Sequence, residues 1–152
     1  MFRLITCCFA GLVTVSILAE KASALVTQTP VTPASIQEKD SKFSVTAQKG
    51  KDGLIHFTIT YRLPEPQYLV AHFELRDGQT LLTKTDTPSF AREKSATYYV
   101  AVSPRQLADA RFELSQNWFS ESGGQAIPLP GGVIFQIDLQ AFGKNAPAAK
   151  GE

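Results

Sequence analysis

The clearest pattern in this chain is a regular alternation of apolar and polar side chains within short segments. From Leu54 to Leu63 every second residue is apolar, starting at Ile55, and the residues between them are polar. A period of two is typical of a strand that buries one face. The same alternation predicts six further strands, at 42–48, 67–76, 79–84, 96–102, 111–119 and 133–142.

Turn residues separate these segments. Asp77–Gly78 is a two-residue hairpin signal, and Pro64 and Pro66 end the strand before them because proline cannot donate to a strand ladder. The remaining connections are predicted as loops at 49–53, 85–94 and 120–132, and as one helical turn at 103–109 with Ser103 as cap.

The spacing of the predicted strands indicates the fold class. Seven strands separated by turns at intervals of about 8–12 residues are typical of an immunoglobulin-like sandwich of about 100 residues. We therefore predict an all-β chain with a single seven-stranded β-sandwich over 42–143. It resembles immunoglobulin-like and fibronectin III-like domains in layout only, because the cysteine pair of antibody domains is missing. A jelly roll and a small open barrel are the alternatives.

The first residues have the three parts of a secretory signal peptide. Arg3 precedes an apolar run from Leu4 to Ala19, and Ala22-Ser23-Ala24 matches an A-x-A cleavage site. We predict a signal peptide over 1–24 and a secreted or periplasmic protein with no stable membrane span after cleavage. An uncleaved anchor is the alternative, although a spanning helix needs about 20 apolar residues.

Composition bounds the rest of the chain. Residues 25–41 are rich in Thr, Pro and Ser and predict a flexible leader, and 144–152 predicts a disordered tail. Both cysteines, Cys7 and Cys8, lie in the signal peptide. The mature chain therefore has no thiol for disulfides, thiol catalysis or thiolate metal sites.

Charge argues against two classes of partner. The chain has 15 basic and 14 acidic residues, and Arg3, Lys21 and Glu20 lie in the signal peptide, so the mature chain is neutral. Binding to nucleic acid or to an anionic membrane surface needs a basic surplus or a basic patch. We predict neither of these partners.

The two histidines are candidate metal ligands. His56, His72 and Glu74 occupy polar positions of two successive strands. If these strands pair as a hairpin, the histidines become diagonal neighbours about 7–8 Å apart, and imidazoles with a carboxylate suit zinc or copper. An immunoglobulin-like layout would instead put the strands in different sheets. A periplasmic metal-binding protein is the alternative function, and no other cofactor is predicted.

Apolar residues outside the inferred core are candidates for partner binding. Tyr68, Tyr99 and Phe119 lie on the faces opposite the core, and Trp118 lies at a strand end. Ile127 and Leu129 lie in a loop flanked by prolines. Such residues stack on sugars or anchor a protein partner. The alternatives are that a bulge turns the aromatic side chains inward and that the loop caps the core.

Catalytic motifs are scarce. Ser120 to Gly124 does not follow the G-x-S-x-G pattern of a nucleophile elbow, and neither histidine lies in a hydrolase motif. We therefore predict an exported, non-enzymatic module that binds a protein or a glycan in the cell envelope or outside the cell. A small enzyme with a cleft lined by acidic residues is the third hypothesis.

Overall fold

The computed structural model describes residues 26–148, which form two β-sheets. The predicted all-β class is confirmed, since 64% of the structure is strand and 11% is helix, and the sheets do not close into a barrel. The predicted signal peptide lies outside the described residues. No helix within residues 26–148 has the length and apolar character needed to cross a membrane.

Eight strands and one short α-helix make up the described chain. In order they are β1 Val26–Val31, β2 Phe43–Lys49, β3 Ile55–Arg62, β4 Gln67–Asp77, β5 Thr80–Ala91, β6 Ser95–Val102, β7 Ala110–Ser122, β8 Gln125–Ile137 and α1 Leu139–Gly143. Short 3₁₀ helices span Ser35–Gln37 and Pro104–Asp109. The second of these confirms the predicted helical turn, with Ser103 at its N-cap position.

The strands are divided between a five-stranded and a three-stranded sheet. The five-stranded sheet has the order β1-β8-β7-β4-β5, and the three-stranded sheet has the order β2-β3-β6. Neighbouring strands are antiparallel except β1, which runs parallel to β8. The chain passes from β3 in one sheet to β4 in the other through Pro64, Glu65 and Pro66. β3 and β4 therefore do not form a hairpin.

The core lies between the two sheets. The alternating apolar residues of β3 are buried as predicted, because they face the inner side chains of β4 and β7. Phe43 stacks on Tyr61 with ring centroids 4.7 Å apart, and Phe135 approaches Tyr61 at 5.3 Å from the opposite sheet. This aromatic contact joins the two layers near the N-terminal end of β2.

The predicted loop at 120–132 is wrong except for the turn at Gly123 and Gly124, and the predicted strand at 133–142 is confirmed only as far as Ile137. β7 and β8 form one long hairpin around Gly123 and Gly124, whose φ angles of 60° and 77° suit a two-residue turn. The chain then leaves the sheet, because the Asp138 side chain accepts a hydrogen bond from Ala141 N at 2.9 Å and caps α1. Leu139 is consequently buried from a helix rather than from a strand.

Three further segments differ from expectation. The predicted leader contains β1, which pairs with β8, and most of the predicted loop at 85–94 belongs to β5. Pro88 is tolerated there because β5 is an edge strand with one side free of ladder bonds. The start of the predicted disordered tail is packed, since Ala146 is buried and Lys49 N donates to Pro147 O at 2.8 Å.

Candidate functional site at the tip of the long hairpin

The β7–β8 hairpin extends past the rest of the five-stranded sheet. β4 pairs with β7 only from Ala110 to Asn117. Beyond Asn117, β8 is the only strand of residues 26–148 that pairs with β7, as far as Ser122 opposite Gln125. We call residues 118–129 the hairpin tip.

An irregularity in the pairing positions Trp118 at the base of the hairpin tip. Asn117 lies opposite Gly132 and Phe119 lies opposite Pro128, so Trp118 faces three residues of β8. A Cβ atom on Gly131 would lie only 2.6 Å from Trp118 Cζ3. The indole therefore packs closely against the backbone at Gly131, where a side chain would have to displace the ring.

One face of the hairpin tip is apolar and exposed. Trp118 is 54% exposed, Ile127 47% and Leu129 44%. Ser120 lies opposite Ile127, and side chains two positions apart share a strand face, so Trp118, Ile127 and Leu129 lie on the same side. We call this surface the tip face. Contiguous exposed apolar side chains mark sites of interaction.

The opposite face of the hairpin tip is attached to the end of β5. Phe119 meets Phe90 edge to face with ring centroids 4.9 Å apart, and the Arg92 guanidinium lies 5.2 Å from the Phe90 centroid. Arg92 Nη2 also donates to Glu121 Oε1 at 2.7 Å. An exposed ion pair contributes only about 0–1 kcal/mol, so the aromatic contact provides most of this attachment. The hairpin tip is held on one side while the tip face stays free.

A groove beside the hairpin tip has a polar floor. It encloses about 450 Å³ and is lined by Glu65, Pro66, Gln67, Trp118, Phe119 and Glu121. The Tyr61 hydroxyl donates to Gln116 Oε1 at 2.6 Å, and Gln116 Nε2 donates to Gln67 Oε1 at 2.9 Å. Burial raises the pKa of Tyr61, so the phenol stays a neutral donor. This network satisfies Gln67, a buried polar residue that is only 7% exposed.

The structure brings four of the six predicted partner-binding residues together on the hairpin tip, Trp118, Phe119, Ile127 and Leu129. Phe119 holds the tip to β5, whereas the other three form the tip face. Tyr68 is half-buried on the outer face of the five-stranded sheet, opposite Phe90 and Asn117. Tyr99 is 78% exposed but lies on the three-stranded sheet, opposite Thr58.

Sequence reasoning missed the polar residues beside the hairpin tip. Gln67 and Gln116 occupy positions that the strand alternation assigns to the core, in phase with Leu69 and Leu114. Polar side chains at core positions need hydrogen-bond partners. The in-phase positions of Gln67 and Gln116 could therefore have indicated a buried polar network. Arg92 had no such signal, because its contacts with Phe90 and Glu121 depend on tertiary structure.

The structure does not bring the three predicted metal ligands together. His56 lies on β3 in the three-stranded sheet, whereas His72 and Glu74 lie on β4 in the other sheet. His56 Nε2 lies 2.8 Å from Asp52 Oδ2. The hairpin pairing that the zinc or copper hypothesis required does not form, because Pro64 to Pro66 carries the chain between sheets.

His72 instead belongs to a polar cluster on the outer face of the five-stranded sheet. Its Nδ1 lies 2.5 Å from Asp86 Oδ1 and its Nε2 lies 3.7 Å from Glu74 Oε2. Arg76 also pairs with Glu74, and its hydrogen bond holds the pKa of that carboxyl below its usual value. Within residues 26–148 there is no group of three or more His, Cys, Asp or Glu side chains suited to hold a metal ion.

No protein-family model matches the chain, and no curated protein matches its sequence.

Proposed function

We propose that this chain is an exported, non-enzymatic β-sandwich module that binds a protein partner through the tip face. The observation that carries this proposal is the grouping of Trp118, Ile127 and Leu129, all exposed, on a hairpin whose other face is attached to β5. Tryptophan is enriched among residues that dominate binding energy. A surface already held in place also loses less conformational entropy on binding.

The composition of the tip face favours a protein over a glycan. A sugar stacks on aromatic rings and is oriented by polar groups, and Trp118 is the single ring of this surface. Ile127 and Leu129 offer aliphatic area, which gains most when an apolar protein surface removes it from water. Glycan binding is therefore the competing outcome of the experiment below.

The strand order supports a finer reading of the fold. We infer an immunoglobulin-like or fibronectin III-like sandwich, in which β2-β3-β6 correspond to strands A, B and E and β8-β7-β4-β5 to G, F, C and C′. Under this correspondence the hairpin tip is the F–G connection and residues 64–66 are the B–C connection. These two connections lie at the recognition end of variable domains, and this likeness is an analogy of fold.

The surroundings of the histidines support the non-enzymatic part of the proposal. Within the described residues, His56 hydrogen-bonds to Asp52 and His72 to Asp86. A hydrolytic triad needs a histidine placed against a nucleophilic hydroxyl as well as a carboxylate. Neither histidine has a serine or threonine hydroxyl among its hydrogen-bond partners.

The test compares three forms of the protein exported from the full chain, the parent, Trp118→Ala and Leu82→Ala. The Leu82 variant is the control, because it removes an apolar side chain that is 48% exposed on β5, away from the hairpin tip. Each form is immobilised and exposed to envelope and extracellular proteins and, separately, to a glycan array. We expect a protein that binds the parent and Leu82→Ala but binds Trp118→Ala at least about tenfold more weakly.

Two results would overturn parts of this proposal. Glycan binding that is lost in Trp118→Ala, with no protein captured, would replace the protein partner with a sugar. Equal capture by all three forms would remove the tip face from the interaction. N-terminal sequencing of the exported protein tests localisation, since cleavage predicts Leu25 as the first residue and Met1 would contradict it.

A further inference from the structure

In the part of the chain that the structure describes, strand β6 has a free edge with none of the usual protection. It pairs with β3 on one side and ends the three-stranded sheet. Its sequence, SATYYVAV, has no charged residue, glycine or proline. Natural edge strands are usually protected by charges, prolines or bulges, and β5 on the other sheet carries Lys84, Asp86 and Pro88.

The five-stranded sheet extends beyond this free edge. Thr85 and Thr87 of β5 lie opposite Phe73 and Ala71, so they point to the inner side of the sheet. Both threonines are nevertheless exposed. The three-stranded sheet therefore ends before it covers β5, and a place beside β6 and beneath β5 is open.

A continuous groove occupies this place. Two cavities of about 400 Å³ and about 540 Å³ share Thr87, Thr97 and Tyr98 in their walls. Strands in a sheet lie about 4.8 Å apart and facing sheets about 10 Å apart. The groove thus follows the path that one further strand of the three-stranded sheet would take.

The lining of the groove defines the chemistry of an occupant. The 400 Å³ cavity has no charged residue in its wall and includes Phe73, Val100 and Phe112, and the second cavity reaches Arg92 and Glu93. A charged side chain over the first cavity would lose water without gaining a partner. The Tyr98 hydroxyl is buried and makes no hydrogen bond within 3.5 Å in the described chain, with the Ser89 side chain as its neighbour. An occupant with free backbone polar groups would supply a partner for it.

We propose that the free edge of β6 receives an extended, uncharged segment of a different polypeptide as an added strand. Its backbone pairs with Ser95–Val102, and its alternate side chains enter the groove beneath β5. In this mode of recognition, main-chain hydrogen bonds give affinity and alternate side chains give specificity. The interaction uses none of the residues of the tip face and stands independently of the function proposed above.

Geometry disfavours a second copy of this chain as the occupant. Symmetric antiparallel pairing of β6 with β6 of another copy would form a continuous sheet. Each β6, however, lies beneath its own five-stranded sheet, and each β5 extends over the place that the other copy would enter. The β5 strands of the two copies would then overlap in the space above the paired β6 strands. A lone extended segment brings no such second layer.

The test uses a short peptide of the required chemistry. The probe has the sequence of residues 95–102, blocked ends and two added lysines for solubility. It is titrated into nitrogen-15-labelled protein exported from the full chain. We expect saturable shifts of backbone amides concentrated in Ser95–Val102, together with slower hydrogen exchange at the free edge.

Two lysine substitutions separate the groove from general charge effects. Thr87→Lys puts a charge into the groove from an exposed position, and Thr46→Lys adds the same charge on the exposed outer face of β2. We expect Thr87→Lys to weaken peptide binding by about tenfold or more and Thr46→Lys to leave it unchanged. Circular dichroism of both variants checks that they are folded.

Three results would overturn the proposal. The first is a set of amide shifts outside β6, and the second is equal weakening of peptide binding by Thr87→Lys and Thr46→Lys. The third concerns a peptide N-methylated at alternate residues, which cannot donate hydrogen bonds to the edge of β6. If it binds as tightly as the unmethylated peptide, strand pairing is refuted. A dimer of the chain that protects β6 would replace the proposed partner with a second copy. Trp118→Ala should bind the peptide normally, which separates this test from that of the tip face.

Discussion

Three glycines near the hairpin tip provide a graded test of how the backbone positions Trp118. Gly123, Gly131 and Gly132 have φ angles of 60°, 102° and 151°, a region that residues with a Cβ rarely adopt. Their surroundings differ. A Cβ on Gly123 would meet nothing within 4 Å, one on Gly131 would lie 2.6 Å from Trp118 Cζ3, and one on Gly132 would lie 2.2 Å from Gln116 O.

These distances set the expected order of stability losses on substitution by alanine. Gly123→Ala should cost about 1 kcal/mol, since only the left-handed backbone opposes it. Gly131→Ala should cost about 2 kcal/mol, because the exposed Trp118 ring can move aside. Gly132→Ala should cost about 3 kcal/mol or more, because the clash is with the β7 backbone and the two strands must separate.

Urea denaturation of the exported protein measures these losses, and fluorescence reports the ring. Trp118 is the only tryptophan in the sequence, so its emission describes this site alone. Gly131→Ala should change the emission of the folded protein, whereas Gly123→Ala should leave it as in the parent. The reasoning is refuted if Gly132→Ala costs no more than Gly123→Ala, or if Gly131→Ala leaves the emission unchanged.

Two further predictions concern hydrogen bonds. Tyr61→Phe removes the donor to Gln116 Oε1 and should destabilise the protein by about 1–2 kcal/mol in urea unfolding; no loss would show that Gln116 finds another donor. The hydrogen bond from His72 holds the pKa of Asp86 below its ordinary 3.8. The ionised carboxylate therefore stabilises the folded protein above the unfolded-state pKa of Asp86, and this stabilisation is lost as the pH falls through the folded-state pKa. His72→Ala should return the Asp86 pKa towards its ordinary value in a carbon-detected NMR titration and flatten this acid-side loss; an unchanged pKa would contradict the assignment.

Local patterns were sufficient to predict the strands with regular alternation. The predicted strand from Leu54 to Leu63 exceeds β3 by one residue at each end. The prediction is close because each inner side chain of β3 enters the core, which produces the period of two. The helical turn after Ser103 followed from proline at its first position. These features depend on residues that are neighbours in sequence, so they can be predicted without knowing which other strands pack nearby.

The remaining features depend on contacts that are distant in sequence. The sequence of β1 is typical of a flexible leader, and it forms a strand because it pairs in parallel with β8. β8 contains Pro128, which argues against a central strand. At the hairpin tip, however, β7 is the only neighbour of β8 among residues 26–148, and an edge tolerates proline. Trp118, Phe119, Ile127 and Leu129 were named as candidate partner residues on separate grounds. Their meeting on one hairpin followed from this unpredicted strand.

Both proposed surfaces have one structural origin, the unequal size of the two sheets. Along the strands, β7 and β8 have 13 residues each, whereas β3 has 8, so the hairpin tip extends past the layer that would cover its inner side. Across the strands, five face three, so no strand of the described residues lies beneath β5. A sandwich that served stability alone would gain by covering both places, since each exposes apolar side chains. The two proposed partners would supply this missing cover, one at the tip face and one at the edge of β6.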